Sequence, residues 1–177
     1  MNELIDELFL YSKLDLQSVP FHFEKVDLYS FFADFIDELS FHLEKEDGIA
    51  TLLANKEKTY LVEADREKLK RVVTNIVQNS LKYIDHNETE IKVFLTSDPT
   101  HVTVEIRDNG IGISKEDVPY IFESFYRTDT SRNSSTGGSG LGLSIVKKMI
   151  EGHDGIVWAT SEVGKGTSIS FKLKKVR

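Results

Sequence analysis

Two glycine-punctuated runs, "DNGIGI" at residues 108–113 and "GGSGLGL" at 137–143, constrain this chain more than any other feature. The first follows "HVTVEIR", whose apolar and polar residues alternate as in a half-buried strand. The second opens the helical pattern "LGLSIVKKMIEGH". Glycines at a strand end let backbone approach another group closely, and a helix that begins on glycines leaves its first N–H groups uncovered beside the positive end of its dipole. That is a seat for phosphate. Taken singly, each run also suits an ordinary turn or flexible loop. Spacing excludes two familiar phosphate loops. "GKGT" at 164–167 has its glycine after the lysine, unlike a P-loop, and Gly138, Gly140 and Gly142 recur at every second position after a loop, unlike a dinucleotide fingerprint.

A third feature joins the glycines. In "DREKLKRVVTNIVQNSLKYI", Asp65 suits an N-cap, and at 3.6 residues per turn Asn75, Asn79 and Lys82 fall on one stripe with Tyr83 at its border. Leu69, Val72, Val73, Ile76, Ser80 and Ile84 fill the arc beside it. Two amides and an ammonium also suit a solvated face. Mg2+, however, takes hard oxygen donors, and a lysine one turn on can hold the phosphates that such a metal bridges.

The remaining pattern predicts an amphipathic helix in "MNELIDELFLYSKL", with Leu4, Leu8 and Tyr11 on one face and Ile5, Phe9 and Leu16 beside it. Its abrupt start predicts that Met1 was set inside a longer helix. Pro20 interrupts the pattern, and a second helix is expected from about Leu28 to Lys45. "IATLLAN" and "KTYLVEA" are expected to form a hairpin, "ETEIKVFLTS" and "HVTVEIRD" a second strand pair, and "GIVWAT" and "TSISFKLKK" the final strands. The polar segment from Arg127 to Gly138 reads as a mobile lid. At 177 residues and 40% hydrophobic composition the chain can bury one core, and its net charge of -7 excludes a partner held mainly through nucleic-acid phosphates. The absence of cysteine fits a reducing compartment and excludes thiolate chemistry. No apolar run reaches the ~20 residues that span a bilayer, and the opening is too acidic for a signal peptide.

In their order along the chain, "NIVQNSLKY", "DNGIGI", "FESFYR", "GGSGLGL" and "GKGT" resemble the N box, first glycine box, F box, second glycine box and closing turn of one family. That family is the catalytic, ATP-binding domain of sensor histidine kinases, within the superfamily of DNA gyrase, heat-shock chaperones and MutL ATPases. The resemblance covers nearly the whole chain. It implies an α+β fold, a two-layer α/β sandwich of the Bergerat type with a mixed sheet packed on helices. It also implies ATP and Mg2+ as ligands. Asn79 would hold the metal, Lys82 the phosphates, Tyr83 would flank the base, and Asp108 would accept from the adenine amine with Gly110, Ile111 and Gly112 around it. Asn75 would support the site, and Thr167 would reach the base. Arg127 and Arg132 would neutralise the terminal phosphate, with Gly138, Gly140, Leu141, Gly142 and Leu143 cradling the phosphate chain.

The resemblance further implies a protein-histidine kinase of a two-component phosphorelay, transferring the γ-phosphoryl group to a histidine on a dimerisation hairpin. His22, His42, His86, His101 and His153 lack the family's phosphoacceptor context and read as structural or exposed. "EGHDG" departs from the usual His-Gly-Gly, which Asp154 tolerates in a turn. Residues 1–16 are expected to be the end of the hairpin's second helix, 17–26 a linker, and 27–177 the catalytic domain. The partners implied are that hairpin and a response-regulator receiver domain, with a homodimer at full length, a monomeric fragment, and a cytoplasmic place in a membrane-anchored bacterial sensor. In gyrase-like ATPases a glutamate stands where this chain has Asn75, and an amide cannot take a proton from water, which favours kinase over ATPase. A nucleotide-regulated binding module without kinase activity, or a related ATPase, stays open.

Overall fold

The computed structural model describes residues 3–84, 88–128 and 138–176. The chain opens with helix α1 (Glu3–Asp15), followed by strand β1 (Glu24–Asp27) and helix α2 (Leu28–Leu43). The Asp27 side chain caps α2 by accepting from Tyr29 N and Ser30 N. Leu28, Phe31, Phe32, Ile36, Leu39 and Leu43 form its buried stripe. A 3₁₀ turn, Glu44–Glu46, carries the helix to Asp47 in the left-handed region (φ 53°), so Asp47 and not Gly48 makes the reversal. Next come β2 (Ile49–Ala54), β3 (Leu61–Ala64), helix α3 (Arg66–Lys82), β4 (Glu90–Ser97) and β5 (His101–Asp108). Helix α4 (Gly142–Gly152) and strands β6 (Ile156–Glu162) and β7 (Gly166–Lys174) complete the fold.

Five strands form one mixed sheet in the order β2-β4-β5-β7-β6, with β2 parallel to β4 and the other pairs antiparallel. Ile91, Val93 and Leu95, Val102, Val104 and Ile106, and Ile169, Phe171 and Leu173 point inward and are buried. Their alternates, such as Lys92, Glu105 and Lys172, lie on the outer face. Helices cover the inner face only, which makes this an α+β two-layer sandwich. Among the described residues, no helix is long and apolar enough to cross a membrane.

The expected hairpin of residues 49–64 does not form. β2 pairs in parallel with β4, while β3 pairs with β1 in a separate two-stranded sheet. A parallel pair needs a long crossover, and here β3 and α3 supply it. Val62 and Ala64 are fully buried, and Tyr60 ties the two ends of the intervening loop through bonds between its hydroxyl and Asn55. Periodicity identified both strands but carried no information about their partners. β1 begins inside the expected linker of residues 17–26, because four residues are too few to show a period. The expected lid lies outside the described residues over 129–137, as do His86 and Arg132.

One buried cluster fastens the incoming chain to the sandwich. Asp65 caps α3 by accepting from Lys68 N at 3.0 Å, and also accepts from Lys68 Nζ at 2.8 Å and His22 N at 2.9 Å. Burial pushes its pKa up, but these bonds outweigh it and bring the value to about 2. Asp65 N donates to His153 Nε2 at 3.0 Å, so that nitrogen carries no proton and Nδ1 donates to Met149 O at 2.6 Å. Phe21 and Phe23 meet the imidazole edge to face, with ring centroids 5.0 and 5.5 Å away, and any side chain at Gly152 would strike the Phe21 ring.

Burial pushes the His153 pKa below its ordinary value. The unfolded chain therefore takes the proton first, and stability present above about pH 6.5 is lost as pH falls through the lower folded value. Thermal unfolding should show a decline from pH 7 to pH 5 that flattens in His153→Gln. The low Asp65 pKa sets a separate expectation. Asp65→Ala should cost about 2 kcal/mol in urea unfolding at pH 7.

Candidate functional site

A cavity of about 980 Å³ opens between α3, the segment that leads into α4, and the loops at the ends of β5 and β6. Its floor is built on Asp108, the last residue of β5 and 7% exposed. Oδ1 accepts from Gly110 N at 2.9 Å and from Thr167 N at 3.1 Å, and the Ser80 hydroxyl donates to the same carboxylate. A carboxylate offers about four acceptor positions, so one remains for a donor in the cavity. Burial pushes the Asp108 pKa up, and the three hydrogen bonds oppose it.

Glycines let the strands converge here. A Cβ at Gly110 would lie 2.7 Å from the Tyr83 carbonyl oxygen. At Gly112 (φ +75°) it would run into the Glu162 carbonyl, and at Gly166 (φ +98°) into that of Asp108. Gly110 itself is packed behind the floor and does not line the cavity. Leu141, also expected at a cofactor, is fully buried in the core ahead of α4.

The stripe on α3 does face the opening. Asn75, Asn79 and Lys82 line the cavity with Tyr83, Ile111, Gly112, Arg127, Gly138, Gly140, Gly142, Leu143 and Thr167. Asn75 donates from Nδ2 to Gly142 O at 3.3 Å and so ties α3 to the first turn of α4. Burial lowers the Lys82 pKa, the Arg127 charge lowers it further, and Glu7 works against both. The result is a concentrated positive charge at the end of α3, suited to an anion. Among the described residues no group of three His, Cys, Asp or Glu could cage a metal. The amide oxygen of Asn79 is a hard donor that suits Mg2+, an ion that keeps several waters and takes other ligands from phosphates.

Sequence reasoning missed part of the lining. Tyr126 donates to Asp117 Oδ1 at 2.5 Å, and with the bond from Ser114 this holds the Asp117 carboxyl below the usual range. Tyr126 sits inside "FESFYR", a run identified as a motif without a role for each residue. Leu4 and Glu7 reach the cavity mouth from α1, where Ser139 Oγ donates to the Glu7 carboxylate and accepts from Leu141 N at 3.0 Å. Asp15 pairs with Lys148 on α4 at 2.6 Å, and Lys148 also lies over the Tyr11 ring. No local pattern signals a contact between residues 132 apart in sequence.

The model of the histidine kinase-, DNA gyrase B- and HSP90-like ATPase family matches residues 64–177. The sensor histidine kinase WalK of Bacillus subtilis is 34% identical over 174 residues, covering 98% of this chain and 28% of its own length. The chain thus spans little more than a quarter of that relative. The histidine kinase ThkA, crystallised with the response regulator protein TrrA, aligns with a TM-score of 0.75 at 26% identity, over 99% of this chain and 49% of its own. Full-length ShkA in complex with AMPPNP aligns with a TM-score of 0.84 over 98% of this chain and 36% of its own. At 19% identity that second likeness speaks for the fold.

The charges at the cavity mouth set a direct expectation. Glu7→Gln should tighten binding of tripolyphosphate about threefold at low salt, and Lys82→Ala should weaken it about tenfold. Isothermal titration checks both, and equal affinities in all three proteins would remove Lys82 from the anion seat.

Proposed function

The chain belongs to the histidine kinase-, DNA gyrase B- and HSP90-like ATPase family, and from that premise we propose that it is the ATP-binding catalytic domain of a sensor histidine kinase. The observation that carries the reading is the buried Asp108 carboxylate, tied by Gly110 N, Thr167 N and Ser80 yet open to the cavity at one acceptor position. An exocyclic amine is the donor that adenine has at its 6-position and guanine lacks. The anion seat of Lys82 and Arg127 then receives the phosphates. Bound Mg2+, held by Asn79 and the phosphates, would offset their negative charge.

Phosphoryl transfer asks the protein for position and charge more than for covalent chemistry. Lys82 and Arg127 stabilise charge on the transferred group. Arg132, outside the described residues, is proposed for the same task. Asn75 has no proton-accepting group, and its amide is engaged with Gly142 O, so no base at that position activates water. A kinase that hands the group to a supplied histidine fits this better than an ATPase. The acceptor would lie on a dimerisation hairpin, with α1 belonging to that hairpin's second helix, residues 17–26 its linker and 27–177 the catalytic domain. We extend the proposal to the whole protein: a homodimeric, membrane-anchored bacterial sensor whose cytoplasmic part passes the phosphoryl group on to a response-regulator receiver domain. The relation to WalK and to ThkA, crystallised with the response regulator protein TrrA, supports that extension.

Titration calorimetry with ADP tests the base contact. Asp108→Asn should weaken ADP at least tenfold, and wild-type affinity should fall on acidification as Asp108 takes a proton through its raised pKa, a dependence absent from the variant. Asn79→Ala should abolish the gain that Mg2+ brings to nucleotide affinity. Labelled ATP and a separately made acceptor hairpin should yield acid-labile, base-stable phosphate on the hairpin's histidine. Nucleotide binding without any transfer would favour a regulatory binding module instead.

A further inference from the structure

We propose that Ser161, which does not line the cavity, is a positioning residue that sets base selectivity by fixing the direction of the Thr167 hydroxyl. The inference rests on the adenine reading of the floor and adds to it a residue that decides which ligand edge is accepted.

Ser161 is half-buried near the end of β6. Its Oγ has three partners, each at 2.8 Å: the Gly166 carbonyl oxygen, Ile113 N and Thr167 Oγ1. A serine hydroxyl has one proton and two lone pairs. A carbonyl can only accept, so the Ser161 proton goes to Gly166 O. A backbone N–H can only donate, so Ile113 N fills one lone pair. The third contact is complete only if Thr167 Oγ1 donates its own proton to Ser161.

Thr167 is 7% exposed and lines the cavity, and with its proton committed to Ser161 it turns only lone pairs toward a ligand. Asp108, whose Oδ1 accepts from Thr167 N, is likewise an acceptor. These two side chains therefore present acceptors alone to the cavity. They suit a ligand edge that brings two hydrogens, directly or through a water, and the 6-amino group of a purine is such an edge. A purine without that amine brings no donor to this edge, only the ring nitrogen lone pair that adenine also carries, and buried acceptors left unpaired in this way are costly. The same Ser161 hydroxyl binds the first glycine loop at Ile113 to the β6–β7 turn, so selectivity and loop position share one atom.

The test compares ADP with purine riboside diphosphate, which carries hydrogen in place of the 6-amino group, by calorimetry on the wild type, Ser161→Ala and Ser161→Thr. Wild type should prefer ADP by roughly a hundredfold, a factor expected of two buried hydrogen bonds. In Ser161→Ala the Thr167 proton is free to turn toward the ring nitrogen; the amine-free ligand gains that bond outright, whereas ADP already engages Thr167 through its amine, so the preference should narrow about tenfold. Ser161→Thr keeps the hydroxyl and should restore the wild-type ratio, which a loss of packing would not allow. Ser161→Cys, close in shape but a weak hydrogen-bonding group, carries the same expectation as Ser161→Ala should the alanine variant not fold. An unchanged ratio in a folded Ser161→Ala or Ser161→Cys protein overturns the inference, as does a failure of Ser161→Thr to restore it. A wild type that does not discriminate at all would overturn the adenine reading of the floor and the inference with it.

Discussion

The site depends on keeping one carboxylate buried and still able to accept one more hydrogen bond. A buried ionised group is tolerated only when donors replace its lost water. Asp108 obtains them from Gly110 N, Thr167 N and Ser80, which come from the loop after β5, the start of β7 and the helix α3. Three chain segments must therefore meet within hydrogen-bond distance of one side chain. That requirement explains the glycines around it, since a Cβ at Gly110 would press on the Tyr83 carbonyl and one at Gly166 on the carbonyl of Asp108 itself. The cavity is what remains on the open side of this junction.

The opposite end of the cavity is governed by positive charge. Burial and the Arg127 charge both make Lys82 costlier to ionise, and Glu7 relieves part of that cost from a helix that packs on α4 rather than on the sheet. α1 and residues 20–23 are both fastened to α4, one through Asp15, Tyr11 and Lys148 and the other through Phe21 and His153. The helix whose first turn meets Asn75 thus also anchors everything that precedes the sandwich. A displacement of the leading segments acts on the same element that borders the Lys82 end of the cavity.

The elements most legible in the sequence are those whose chemistry is local. Asp65 caps α3 as its position suggested, because an N-cap needs only a side chain three residues from a backbone N–H. The Asn75, Asn79 and Lys82 stripe follows from helical geometry alone, and β4 and β5 pair across a tight turn within one stretch of alternating residues. The expected partner of β2 was wrong because period-2 alternation reports that a strand is half-buried, without saying which strand lies beside it. The motifs include Gly110 and Leu141, and packing sets both behind the walls of the cavity. Glu7, Asp117, Tyr126 and Ser161 were missed as individual residues, since their parts depend on partners that no sequence spacing brings together.

By itself the sequence determined which groups line the cavity of the candidate site: an acceptor at a strand end, glycines where backbone must pass closely, and amides and an ammonium on one helical stripe. These follow from bond geometry and the repeat of regular structure, which act over a few residues. The tertiary structure decided which of those groups are committed elsewhere. It engaged the Asn75 amide with Gly142 O, left Asp108 with one open acceptor position and turned the Thr167 proton away from the cavity toward Ser161. A hydroxyl can donate or accept with equal ease until its neighbours are in place, and those neighbours come from strands and loops joined only when the sheet is assembled.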